Sequence, residues 1–159
     1  MNVIQHRLEN GFHRRSSTDL IVIHAMAEVL EMNPDLPAAQ FLDKMGLSAH
    51  CLIAPQGTVI RCREDDEGAY HAKGFNAHSV GVEILTPGTH TYVTWLDAIQ
   101  GDWVSDEQYE AAIELVRGWM TKYNLTTDNV KRHSDIDPAR KKDPGNGFKW
   151  EWFLKKLNG

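Results

Sequence analysis

A chain of 159 residues suits a single domain, and area scaling gives it about 8,000 Å² of folded surface with about 69% of the open chain buried, so no disulfide staple is needed for a core. Hydrophobic residues at 42% and charged residues at 25% exclude a disordered or fibrous chain. A net charge of −5 leaves no overall electrostatic hold on nucleic acid, and two cysteines exclude a Cys-rich structural metal site, whereas eight histidines keep a His-based one open.

Met1 to Arg15 holds no apolar run of signal-peptide length, which predicts cytoplasmic synthesis without a leader. Leu20-Ile21-Val22-Ile23, the longest apolar stretch near it, is far too short for membrane insertion. Leu20 to His24 reads as a buried, β-branched strand, and Pro37 to Met45 as a short helix stopped by Gly46. Ala49 to Cys62 reads as a hairpin around Pro55-Gln56-Gly57. A two-residue turn at Gln56-Gly57 would set Cys51 opposite Cys62, where reduced, buried thiols are expected.

Val80 to Leu85 is a further strand, ended by Thr86-Pro87-Gly88, and Thr89 to Gly101 reads as a loop rich in turn formers and aromatics. Over Asp106 to Asn124, residues Tyr109, Ala112, Ile113, Val116, Trp119, Met120 and Tyr123 recur at three-and-four spacing, and Ser105 with Gln108 opens a capping box. Val130 to Arg132 is a short strand. Trp150, Phe153, Leu154 and Leu157 stripe a C-terminal helix. Irregular alternation with one hairpin predicts an α/β domain over residues 1–159, a central mixed β-sheet flanked by helices.

Three places carry metal-binding chemistry. His24 ends the first strand, His133 follows the last one, and Asp143 stands ten residues later before Pro144-Gly145. Two histidines and a carboxylate are a ligand set for catalytic zinc, which keeps a fourth position for water. Strand ends and loops are good places for such a site. Spacing alone leaves Asp135, His50 and His71 as competing ligands.

The wording of these segments resembles the zinc-dependent N-acetylmuramoyl-L-alanine amidases of the type 2 kind, over about residues 16–152. That family includes small phage amidases, cytosolic anhydromuropeptide amidases and peptidoglycan recognition proteins. The resemblance is carried by four ordered stretches: Ser17-Thr18-Asp19 with Ile21-Val22-Ile23-His24; Ser48-Ala49-His50 with Leu52-Ile53 and Gly57-Thr58-Val59; His71-Ala72-Lys73-Gly74-Phe75-Asn76 with Ser79-Val80-Gly81-Val82-Glu83; and Arg132-His133-Ser134-Asp135-Ile136 with Pro138, Arg140-Lys141 and Asp143-Pro144-Gly145.

The resemblance implies that His24, His133 and Asp143 hold one zinc ion, with Asp143 where some relatives have cysteine. Ala49 stands where some members have a catalytic tyrosine, and Glu83 occupies the place of the glutamate used by the branch lacking it. The implied reaction is hydrolysis of the amide between the lactyl group of N-acetylmuramic acid and L-alanine of the stem peptide. Glu83 would move the proton and Lys141 would stabilise the developing oxyanion. The resemblance makes His71 and Asn76 substrate contacts; Arg140 is a candidate for a bidentate pair with a stem-peptide carboxylate, and His50, near the metal, is counted with them as a candidate substrate contact. A phage or prophage endolysin is the leading role: a monomer reaching the periplasmic wall by holin-dependent release. A cytosolic recycling amidase and a peptidoglycan-binding module without catalysis are the alternatives.

Overall fold

A computed structural model describes all residues 1–159, with 7952 Å² of accessible surface, close to the scaling expectation. Six strands form one mixed sheet: β1 (Val3–Gln5), β2 (Leu20–Leu30), β3 (Cys51–Ile53), β4 (Val59–Arg61), β5 (Ser79–His90) and β6 (Val130–Arg132). Their order across the sheet is β1-β4-β3-β5-β2-β6. Only β3 and β4 run antiparallel; every other neighbouring pair is parallel. The expected α/β class with a central mixed sheet and flanking helices is what the chain adopts.

The helices are α1 (Ala38–Lys44), α2 (Tyr92–Ala98), α3 (Asp106–Tyr123), α4 (His133–Ile136) and α5 (Trp150–Asn158). Parallel strands need cover on both faces, which is why β2 and β5 read as near-continuous apolar runs. On one face Ile21, Ile23, Val80, Val82, Ile84, Cys51 and Ile53 pack against α3 and α5. On the other, α1 lays Ala38, Ala39 and Leu42 over Leu52 and Cys62. Alternation along β2 and β5 sends His24 and Glu83 to the face opposite the α3–α5 layer, and the two are direct register partners, His24 beside Glu83.

Helix α3 starts and stops as expected. Ser105 Oγ accepts from the Gln108 backbone N–H at 3.0 Å, and Gln108 Oε1 accepts from the Ser105 N–H at 3.1 Å. Asn124 closes the helix in the left-handed region at φ 54°. Within α3, Trp119 is 2% exposed, and its indole N–H donates to Asp65 Oδ1 at 3.0 Å. Trp119→Ala is expected to cost ~3–5 kcal/mol through the cavity it leaves. A shift of the urea midpoint at unchanged slope measures this, and a loss below about 1 kcal/mol would mean that the site collapses around the gap.

The structure departs from the sequence reading at four points. Strand β2 continues past His24 to Leu30, so His24 lies within the strand rather than at its end. Strand β5 runs through Thr86-Pro87-Gly88 to His90, because a bulge absorbs the breakers. Ala27 pairs with Thr86 and Val29 with Thr89, leaving one extra residue on β5 where the missing proline N–H breaks no ladder bond. Gly88, at φ +90°, turns its N–H to Glu28 Oε1 at 2.9 Å. Residues 92–98 form α2 instead of loop, started by a reciprocal Thr91–Thr94 capping box. Finally, Cys51 faces Arg61, not Cys62, across the hairpin. That offset of one residue sends the two thiols to opposite faces of the sheet, both buried and free.

Candidate metal centre and cavity

Strand β6 stops pairing with β2 at Arg132–Ile23, and the chain turns at once into α4. This places His133 against His24, with their Nδ1 atoms 2.9 Å apart. Beyond that point the Ala25 backbone N–H has lost its strand partner and donates instead to Asp143 Oδ2 at 3.1 Å. The same oxygen lies 3.2 Å from His133 Nδ1 and 3.6 Å from His24 Nδ1. The Asp143 carbonyl accepts from the Ser134 N–H at 3.0 Å, which ties its loop to α4. Two imidazole nitrogens and one carboxylate oxygen, all from buried residues, thus lie within 4.8 Å of one another and form a site able to hold a metal ion.

The donor set fits zinc. Three protein ligands of this kind leave a coordination position open, as catalytic rather than structural zinc requires. The competing ligands fall elsewhere. Asp135 turns to Arg132, with Oδ1 2.9 Å from Nη2 and Oδ2 3.0 Å from Nε. His50 is fully buried on the far side of His71, and His71 touches only the outer nitrogen of His24.

Glu83 completes the inner site. Its Oε1 lies 3.7 Å from His24 Nδ1, while Oε2 is buried with no hydrogen-bond partner, an arrangement that calls for a ligand or water group. Burial, then the Asp143 charge, push the Glu83 carboxyl well above the usual carboxylate range, against the pull of Lys141. Asp143 goes the other way: burial would raise it, but hydrogen bonds from His133 and His24 outweigh that and hold it far below its ordinary value. Two neighbouring carboxyls are thereby driven apart, the pattern expected of distinct acid–base roles. Burial also lowers His24 to about 4, favouring the neutral imidazole that a metal needs.

A cavity of about 550 Å³ opens onto this centre. Glu83, His133, Lys141 and Asp143 line it, and so do His71, Asn76 and Arg140. His24 lies beneath, buried. Lys141 and Glu83 thus share the lining of one cavity. His50 is the exception among the expected contacts. It is outside the cavity, its Nδ1 accepting from the Gly81 N–H at 3.1 Å and its Nε2 lying 2.8 Å from the Glu67 carbonyl, so it braces the sheet instead of meeting substrate. Asn76 spends its side-chain oxygen on the backbone N–H groups of His71 and Ala72, at 3.1 and 2.8 Å, and thereby shapes the cavity wall. Arg140 is half exposed, its Nε 3.5 Å from Asp137 Oδ2. Tyr92 and Trp95, in an aromatic segment that the sequence leaves open as a substrate lip, an interface or a packed loop, bring α2 to the cavity wall, and Ser79, to which sequence reasoning gave no role, meets His71 Nε2 with its hydroxyl at 3.0 Å. The signal for α2 was present in Thr91 and Thr94, a cap pair hidden among turn-forming residues.

The signature of the N-acetylmuramoyl-L-alanine amidase family matches residues 14–146. The chain is 32% identical over 121 residues to the 1,6-anhydro-N-acetylmuramyl-L-alanine amidase AmpD of Enterobacter cloacae, a span of 71% of this chain and 58% of that one. It covers little more than half the length of the curated relatives it matches. The N-acetylmuramoyl-L-alanine amidase LysC from Clostridium intestinale superposes with a TM-score of 0.75 over 99% of this chain and 98% of that one, at 24% identity, a likeness of fold. The endolysin amidase LysCS of the same organism gives a TM-score of 0.74 at 25% identity over 99% and 95% of the two chains. No helix is long and apolar enough to cross a membrane. With the family signature spanning most of the sequence and the sheet, helices and His-His-Asp cluster arranged as described, this chain belongs to the N-acetylmuramoyl-L-alanine amidase family.

Proposed function

We propose that the chain is a zinc-dependent amidase that hydrolyses the bond between the lactyl group of N-acetylmuramic acid and L-alanine of the peptidoglycan stem peptide. The observation that carries this reading is the unpartnered carboxylate oxygen of Glu83 beside a three-ligand metal site at the floor of an open cavity. His24, His133 and Asp143 would hold the ion. Zinc bound there would supply Lewis acidity and lower the pKa of water toward about 7.

The rest of the chemistry belongs to the chain's own side chains. Glu83, with its raised proton affinity, accepts a proton from the attacking water and returns it to the leaving nitrogen of L-alanine. Lys141 presents its ammonium to the carbonyl oxygen as charge develops there. Lys141→Ala is therefore expected to lower kcat by about 10²-fold while zinc content stays unchanged. A rate within a few-fold of the parent would remove Lys141 from the mechanism.

Two substrate forms are open to the same bond-breaking step. The curated relatives are named as amidases of 1,6-anhydro-N-acetylmuramyl-L-alanine, which supports a recycling role on soluble muropeptides. The Clostridium endolysin, matched over nearly the whole of both chains, supports the endolysin role on the wall itself. Mass spectrometry of products from intact sacculi and from soluble anhydromuropeptide tests both at once. Release of free stem peptides with N-terminal L-alanine is the expected result, and the faster substrate assigns the role. Zinc-loaded protein that binds either material without cleaving it would instead mark a recognition module.

A further inference from the structure

The outer nitrogen of His24 meets a third imidazole. His24 Nε2 lies 2.8 Å from His71 Nδ1, and His71 Nε2 lies 3.0 Å from Ser79 Oγ. The chain around His71 is built to keep this contact. Asn76 Oδ1 accepts from the backbone N–H groups of His71 and Ala72, which fixes the turn. On the next strand Gly81 leaves room for the ring, since a β-carbon there would stand 2.3 Å from His71 Nδ1. The His24 and His71 rings meet edge to face, with centroids 5.1 Å apart and planes at 78°.

We propose that His71 is the positioning residue of the metal site: it accepts the Nε2 proton of His24 and so fixes the tautomer and ring angle that present His24 Nδ1 as a bare ligand. The inference rests on the metal-site reading above. The proton inventory has one consistent solution. A metal at His24 Nδ1 requires the proton on Nε2, and that proton needs an acceptor. His71 Nδ1 is the atom within reach, so the proton of His71 sits on Nε2 and donates to Ser79 Oγ. The opposite arrangement, with a proton on His71 Nδ1, would force the His24 proton onto Nδ1 and close that ligand position. His71 is thereby reassigned from substrate contact to support of a ligand.

The test is zinc affinity, measured by competition with a chromophoric chelator. His71→Leu keeps volume but removes the acceptor, and a loss of about 10–100-fold is expected. His71→Asn places a carbonyl oxygen near the position of Nδ1 and is expected to restore affinity to within a few-fold of the parent. Parent-like affinity in His71→Leu, or an equal loss in both variants, would overturn the inference while leaving the metal site intact. If the parent chain fails to bind zinc any better than His133→Ala, the metal-site reading itself falls and takes the inference with it. Long-range proton–nitrogen NMR of the zinc-loaded parent needs no variant: a bare Nδ1 on His71 is expected, and a proton found there refutes the assignment.

Discussion

Glu83→Gln is expected to lower the rate of amide hydrolysis by about 10²–10⁴-fold while the protein still carries its zinc. Glutamine keeps the size and the polar oxygen of the side chain but cannot take up and return a proton. The carboxyl it replaces sits 3.7 Å from His24 Nδ1 with one oxygen unpartnered, so the substitution breaks no bond within the protein. Burial and the Asp143 charge already raise the proton affinity of Glu83, so the active, deprotonated base is lost as pH falls through that raised value. The acid limb of kcat/KM in the parent should therefore lie above the ordinary carboxylate range and vanish in the variant. A near-normal rate, or an unmoved acid limb, would show that another group handles the proton.

Removal of the metal is the second large effect. His133→Ala takes one of the three proposed ligands, and its loss of zinc affinity is expected to exceed the ~10–100-fold that loss of a supporting partner costs. Stability follows by mass action: at zinc a hundredfold above its dissociation constant, binding contributes ~2.7 kcal/mol to the folded state. The parent's unfolding midpoint should rise with added zinc and fall with chelator, while His133→Ala responds to neither. Activity should track the same titration. Elemental analysis and denaturation in parallel check this, and full activity in exhaustively chelated protein would contradict the mechanism.

Much of the site was legible because its chemistry is concentrated in a few short words of sequence. His24 after Ile21-Val22-Ile23, and His133 with Asp143 beyond Val130 to Arg132, name residues that the sheet then brings together. Periodicity likewise exposed α3, where Ser105 and Gln108 mark the start and Trp119 the buried face. What escaped were features decided by pairing between distant segments. The length of β2 and β5 depends on their mutual register and on a bulge at Pro87-Gly88, and local propensity reads those residues as a stop. The offset that separates Cys51 from Cys62 is a single residue of hairpin register. Helix α2 hides because threonines that cap a helix also populate turns. His71 and His50 looked alike in sequence, polar residues beside the expected site, and only the packing of β5 separates a ring that meets His24 from one that braces Gly81.

The parallel arrangement of β5, β2 and β6 bears on how the chain matures. Residues 24, 83, 133 and 143 are brought together only after β2 has paired with strands that follow it by about 60 and about 110 positions, pairings of high contact order that form late and slowly. No early intermediate with a single hairpin or helix in place can hold all the ligands. Capture of an ion at the proposed metal site would then mark completion: its ligands come together only once the last strand has docked, and the ion would lock a topology already finished.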